Sequence, residues 1–150
     1  MLELTCGKIK IMAQKDIYHE TVIKALAKED WKITDDPFRV RVGRKRLKMD
    51  LGAERLISAE KGTRKIVVEI KSFIGRSDVK DLQQALGQYL MYQQVLMVKN
   101  IARELYLAVP HRTYKSTFQD ELGQILLQTD VLRLIVFDED EEVIVAWIPS

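Results

Sequence analysis

Along the stretch DIYHETVIKALAKEDW, apolar residues fall at Ile17, Tyr18, Val22, Ile23, Leu26 and Ala27, a spacing that puts one apolar stripe on a helix. The pattern predicts a helix from about Ala13 to Glu29. Asp35, Asp36 and Pro37 break it. FRVRV then alternates as a strand or strand-like arm, and RLKMDLGAERLISAE continues as a second extended segment, with Gly52 marking a bend or bulge. RKIVVEIKSF is the clearest strand of the first half. Ser77 is suited to cap a long helix reaching about Val98, with Asp78 in its first turn near the positive end of the helix dipole. ELYLAV reads as a buried strand ended by Pro110, TFQDELGQILLQT as a short helix, and VLRLIVF with EVIVAWI as a hairpin around an acidic turn.

This order implies an α/β fold with a central mixed β-sheet flanked by helices. At 150 residues, 47% of them apolar, the chain needs only one core and one domain. A second methionine, Met12, sets residues 1–12 apart as an N-terminal extension, upstream of the native start if translation begins there, and leaves 13–150 as the single domain. No apolar run is long enough to cross a bilayer and no signal-peptide pattern is present, so the expected location is the cytoplasm. The lone Cys6 can form neither an internal disulfide nor a zinc site.

A net charge of +2 identifies no partner, but its distribution is uneven. Arg39, Arg41, Arg44, Lys45, Arg46 and Lys48 occur with no acid among them, whereas residues 138–142 read DEDEE. The basic segment is either a phosphate clamp for DNA or the outward half of an alternating strand with a solvated turn. The acidic one reads as a charged hairpin turn.

In VVEIKSF, alternation puts Ile66, Val68 and Ile70 on one face and Lys65, Val67, Glu69, Lys71 and Phe73 on the other. Glu69 and Lys71 then lie roughly 6–7 Å apart on a face that also carries apolar residues. A half-buried charge there needs a partner. Asp50 lies on the preceding extended segment. If the two segments pair antiparallel, it comes within about 5 Å of Glu69, close enough for both acids to ligate one hard cation through oxygen. Lys71 would orient or deprotonate a water, or steady charge on a phosphate. Taken alone, an E-x-K tripeptide fits an exposed ion pair equally well.

Asp50 followed by Glu69-Ile70-Lys71, on consecutive strands after an N-terminal helix, resembles the PD-(D/E)XK nuclease superfamily, with Met49 where that pattern's proline would stand. More closely, KDIYHETVIKAL, MDLGAERLISAE, VVEIKSF and DLQQALGQYLMYQQVL resemble the cyanobacterial XisH family, the fdxN element excision controlling factors, from about Ala13 to the C-terminus. The resemblance implies a restriction-endonuclease-like fold and a role in programmed excision of a DNA element, with DNA and an XisI-type companion protein as partners. It also implies Asp50 and Glu69 as metal-binding acids for Mg²⁺ or Mn²⁺, Lys71 as the catalytic lysine, and Glu20 as the further metal-binding acid of resolvase-like members. Two functions stay open: a metal-dependent DNA endonuclease, or a non-catalytic DNA-binding or assembly partner of an XisI-type protein and a recombinase.

On the long helix, Leu82, Leu86, Tyr89, Leu90 and Gln93 share one side, and Gln84, Gln88 and Tyr92 form a second stripe four residues apart. Gln88 with Tyr92 fits the Q-x-x-x-Y signature of some resolvase-like nucleases, which makes Gln88 a catalytic candidate and Gln84 and Tyr92 additional ones. A solvated polar stripe is the competing reading. His19-Glu20 fails the zinc-protease pattern because Ile23 stands where the second histidine belongs, so His19 is expected as a partly exposed helix residue and His111 as a loop residue. Trp31 and Trp147 read as core or interface anchors. The final hairpin is apolar on both faces, Leu134 and Val136 against Ile135 and Phe137, so a homodimer or partner subunit is expected to cover one of them.

Overall fold

The structure, a computed structural model, describes residues 15–58 and 62–150. The extension 1–12, the start at Met12 and the predicted helix start at Ala13 lie outside the described residues. Helix α1 (His19–Lys28) is followed by β1 (Lys32–Asp35), the hairpin β2 (Phe38–Val42) and β3 (Lys45–Met49), and the strands β4 (Leu51–Ser58) and β5 (Gly62–Ile70). Then come the long helix α2 (Asp78–Val98), β6 (Glu104–Pro110), a helical stretch His111–Phe118 that ends in a π-helical turn, α3 (Glu121–Gln128), and the hairpin β7 (Leu134–Asp138) and β8 (Val143–Ile148).

Six strands form one mixed sheet in the order β1-β4-β5-β6-β7-β8, while β2 and β3 form a separate two-stranded sheet. The pairs β1/β4, β4/β5 and β7/β8 are antiparallel; β5/β6 and β6/β7 are parallel. The period-2 reading of β5 decides the layering. Ile66, Val68 and Ile70 pack with Val22 and Leu26 of α1, and Val67 packs on the other face with Leu82, Ala85 and Tyr89 of α2. Ser77 caps α2 by accepting a hydrogen bond from the Lys80 N–H at 3.2 Å.

Several expectations are corrected. Among the described residues the predicted helix is formed only from His19, because Asp16 accepts the Tyr18 N–H at 2.9 Å and holds the chain in a turn ahead of it. Residues 32–34, which the sequence left unassigned, and Asp35, which it read as part of a break, form β1 at the sheet edge. The second extended segment divides at Asp50 and Gly52 lies inside β4, where it does mark an irregularity: the register of β1 against β4 shifts between the Ile33–Ala53 and Asp35–Gly52 pairs. The buried face of α2 runs through Leu82, Ala85, Tyr89, Tyr92 and Leu96, which puts Tyr92 in the core and leaves Leu90 exposed. His111 opens a helical turn, and the short helix begins only at Glu121, with Asp120 accepting the Gly123 N–H at 3.1 Å. Both faces of β7 are covered within the chain, Leu134 and Val136 in one core layer and Ile135 and Phe137 in the other, so this hairpin gives no reason for a dimer. Trp31 is buried against Trp147, ring centroids 5.5 Å apart.

Two glycines mark close approaches of unequal stiffness. A Cβ at Gly52 would come within 2.9 Å of the Asp35 carboxylate and the Phe38 ring, which are side chains. One at Gly123 would come within 2.2 Å of the Thr117 carbonyl and 2.3 Å of the Phe118 Cα, which are backbone. Gly123→Ala is therefore expected to cost about 3 kcal/mol and Gly52→Ala about 1 kcal/mol in urea unfolding, and equal costs would contradict this account of the packing.

Candidate functional site

Asp50 sits where the chain leaves the β2–β3 hairpin and enters the main sheet. The pairing of Leu51 with Val68 brings Asp50 beside Glu69. The two acids brace each other's backbone. The Ile70 N–H donates to Asp50 Oδ2 at 2.7 Å, and the Asp50 N–H donates to Glu69 Oε1 at 3.1 Å. Side chains thus finish the ladder where the hairpin peels away and would leave N–H groups unpaired.

Glu69 is only 4% exposed, and Asp50 is half-buried. Burial raises the Asp50 carboxyl above the usual carboxylate range, against the Ile70 N–H bond and the positive fields of His19 and Lys71. Burial first, and then the charge of Asp50, push Glu69 up to about 8, with Lys71 opposing. A divalent ion between two carboxylates that resist ionising together would offset both penalties.

Around them lies a cleft of about 670 Å³ whose lining includes Asp16, His19, Asp36, Arg39, Lys48, Lys71 and Gln88. Lys71 follows the last residue of β5, and its N–H still pairs with the Ala108 carbonyl at 3.0 Å. Beyond it, other elements hold the chain. The Ser72 N–H donates to Asp16 Oδ2 at 2.9 Å, and Arg112 Nη2 donates to the Ser72 carbonyl at 2.7 Å. Phe73 then takes φ +54°, a strained conformation for an aromatic residue, so the predicted continuation of the strand to Phe73 fails immediately past the site.

Gln88 donates Nε2 to the Tyr92 hydroxyl at 2.9 Å, and that hydroxyl donates to the Lys48 carbonyl at 3.2 Å. The hydroxyl proton is thereby committed, which fixes the amide orientation. Gln88 Oε1 is left buried without a partner among the described residues, an acceptor that needs a donor such as an ion-bound water. This orphaned acceptor and the paired acids together fit a hydrated Mg²⁺ or Mn²⁺, with Asp50 and Glu69 as its protein ligands.

Asp50, Glu69, Lys71, Gln88, Arg39 and Lys48 therefore meet in one cleft. Glu20 and Gln84 are exposed and do not line it, and Tyr92 reaches it only through Gln88. Glu20 gathers instead with His19 and Asp36, their ligand atoms all within 4.8 Å of one another. His19 is 4% exposed, its Nε2 2.8 Å from Asp36 Oδ1, which corrects the expectation of a partly exposed residue. Asp16 and Asp36 were missed as cleft residues because they lie in or beside turns, where no periodicity marks an inward side chain, and His19, placed near the acids only as the lesser reading, lines the cleft. Arg41, Arg44, Lys45 and Arg46 extend the charge away from the cleft. Arg39 stands opposite Lys48 and Arg41 opposite Arg46, and none of the four makes an ion pair among the described residues.

Fold and cleft together define a mixed α/β protein with a paired-carboxylate and lysine site beside a cationic hairpin. Residues 12–145 match the model of the family described as XisH protein. The chain belongs to the XisH family. It is similar to the crystal structure of an XisH family protein from Nostoc punctiforme, at 38% identity and a TM-score of 0.78 over 89% of this chain and 99% of that one. It is also similar to a fdxN element excision controlling factor protein from Anabaena variabilis, at 40% identity, a TM-score of 0.78 and the same coverage. Among curated proteins none matches. No helix among the described residues is long and apolar enough to cross a membrane.

The raised carboxyls set a pH dependence. An acid whose folded pKa lies above its unfolded value binds more protons folded than unfolded, so stability falls as pH rises between the two values. Metal-free protein is expected to lose stability from about pH 4.5 to about pH 8 through Glu69. Glu69→Gln should remove most of that slope. Denaturant unfolding across this range checks it, and a variant slope equal to that of the wild type would contradict it.

Proposed function

We propose that the protein is a metal-dependent DNA endonuclease of the restriction-endonuclease type, acting on phosphodiesters during excision of a DNA element. The observation that carries this reading is the hydrogen-bonded pair of acids, half-buried Asp50 and buried Glu69, with Lys71 on the same cleft. The arrangement also supports a restriction-endonuclease-like reading of the fold: acids on consecutive antiparallel strands after an N-terminal helix, followed by a helix and a parallel strand. The similar protein from Anabaena variabilis bears the name of an excision controlling factor, which supports the DNA substrate.

Asp50 and Glu69 would hold Mg²⁺ or Mn²⁺, which when bound supplies Lewis-acid stabilisation of the phosphate and a more acidic water. The residues do the rest. Gln88 Oε1 accepts a hydrogen bond from the attacking water and so aims its lone pair, while the Lys71 ammonium hydrogen-bonds to the phosphate oxygens as charge builds there. The water oxygen bonds to phosphorus as the bond to the leaving oxygen breaks; the water gives up one proton to solvent and the leaving oxygen takes one up from solvent, so that one water is consumed. Arg39 and Lys48 hold the flanking phosphates. Like charges opposed across a hairpin are unfavourable unless an anion lies over them, and the Arg39/Lys48 and Arg41/Arg46 pairs supply that geometry for a phosphate backbone.

One observation favours a second reading, a non-catalytic assembly partner of an XisI-type protein and a recombinase. Arg64 lies over the rings of Trp31, Tyr106 and Trp147 at 5.7–5.8 Å, the residue types enriched at interface hot spots. Excision in cells that survives Glu69→Gln would select it.

Incubation with supercoiled plasmid in Mg²⁺ should give nicked or linear product, and Lys71→Ala should slow this roughly 100-fold while leaving thermal unfolding unchanged. Cleavage that persists after Asp50, Glu69 and Lys71 are all changed would overturn the nuclease reading.

A further inference from the structure

We infer that the cleft takes a nucleic-acid strand whose bases are out of the duplex, with Ile17 and Ile74 contacting the unstacked bases. This rests on the reading of the cleft as a phosphodiesterase site, and goes beyond it by naming the form of substrate.

Depth is the first argument. A duplex is a convex cylinder with its phosphates on the outside, whereas Glu69 is 4% exposed at the end of a central strand. A phosphodiester reaches such an acid only by entering the cleft, which a strand freed from its duplex does more readily than a rigid cylinder.

The second argument is the character of the lining. Ile17 and Ile74 both line the cleft and are 64% and 65% exposed. Neither supports the core. Large aliphatic side chains beside a polar, charged site have nothing to offer a phosphate, but they are the residue type that wedges between base steps or lies against an unstacked base. The two come from segments braced on each other. Asp16, the neighbour of Ile17, accepts the N–H of Ser72, two residues before Ile74, and Arg112 holds the Ser72 carbonyl. The isoleucines therefore project from backbone that is already fixed, which limits the ordering cost of using them.

The third argument is the separation of chemistry. Arg39 and Lys48 reach the same cleft from the hairpin, so phosphates and bases have separate contacts: cations from β2 and β3, aliphatic surface from the segments flanking α1 and β5. A strand held this way lies with its backbone toward the hairpin and its bases toward Ile17 and Ile74. Such contacts tolerate any sequence, because every base has an apolar face.

Fluorescence anisotropy tests this with Ca²⁺ in place of Mg²⁺, using one labelled strand alone, in a full duplex, and in a duplex with a central unpaired loop. Wild type should bind the single strand and the looped duplex roughly tenfold more tightly than the full duplex. Ile17→Ser/Ile74→Ser should abolish that preference with little change on the full duplex. Arg39→Glu/Lys48→Glu should weaken all three. Both isoleucines are exposed, so the variant keeps its core, and unchanged circular dichroism confirms that. Equal wild-type affinity for all three forms, or a preference that survives in the isoleucine variant, overturns the inference while leaving the nuclease reading intact. Failure to bind any of the three overturns both.

Discussion

Each of the two facing carboxylates, Asp50 and Glu69, holds a backbone N–H beside the other, and through this exchange the main sheet ends in a charged cleft rather than in a frayed edge. The same exchange fixes two acids where burial and mutual repulsion oppose their ionisation. An arrangement that disfavours charge in the free protein is one that a divalent cation stabilises. The β2–β3 hairpin can leave the sheet at Asp50 because those side chains satisfy the backbone where strand pairing stops. Its departure carries Arg39 and Lys48 to the cleft wall.

A second set of constraints keeps the cleft open and in register. Past Ile70 the chain has left the strand, and Asp16 and Arg112 grip Ser72 in its place. Glu139 in the acidic turn lies 3.4 Å from Arg112 Nε, which ties the C-terminal hairpin to the same point. The acidic turn therefore has structural work beyond solubility. Glu142 accepts from Thr21, and the Glu141 carbonyl accepts from Lys28, so the turn also fastens α1 over its face of the sheet. Strain at Phe73 is sustained because these contacts determine the path on both sides of it.

How much of this could be read in the sequence depended on whether a residue lay in a periodic element. Glu69 was placed on the correct face because strand alternation is strict, and Asp50 came with it because two adjacent extended segments pair most simply as antiparallel neighbours. The spacing of Gln88 and Tyr92 identified a true contact, but not the depth of Tyr92. Helix α2 carries apolar residues on several sides, with Leu90, Met91 and Met97 exposed, so its periodicity could not choose a buried face without the sheet. Asp16 and Asp36 were out of reach, and His19 was reached only as a lesser reading, for a different reason. They meet through long-range approach of a turn, the start of a helix and a loop, for which local pattern holds no signal. The paired apolar faces of the last hairpin were read correctly as needing cover, but the cover comes from this chain's own helices.

Whether Asp50 and Glu69 take a cation is read by binding, without reference to any reaction. Calorimetric titration with Mn²⁺ at neutral pH, in two buffers of different protonation enthalpy, measures both the ion bound and the proton it displaces. Mn²⁺ is expected to bind the wild type with proton release, because burial and the charge of Asp50 hold the Glu69 carboxyl up at about 8, and Asp50→Asn is expected to abolish the binding. Binding of equal strength in Asp50→Asn, or binding without any proton release, would contradict this expectation.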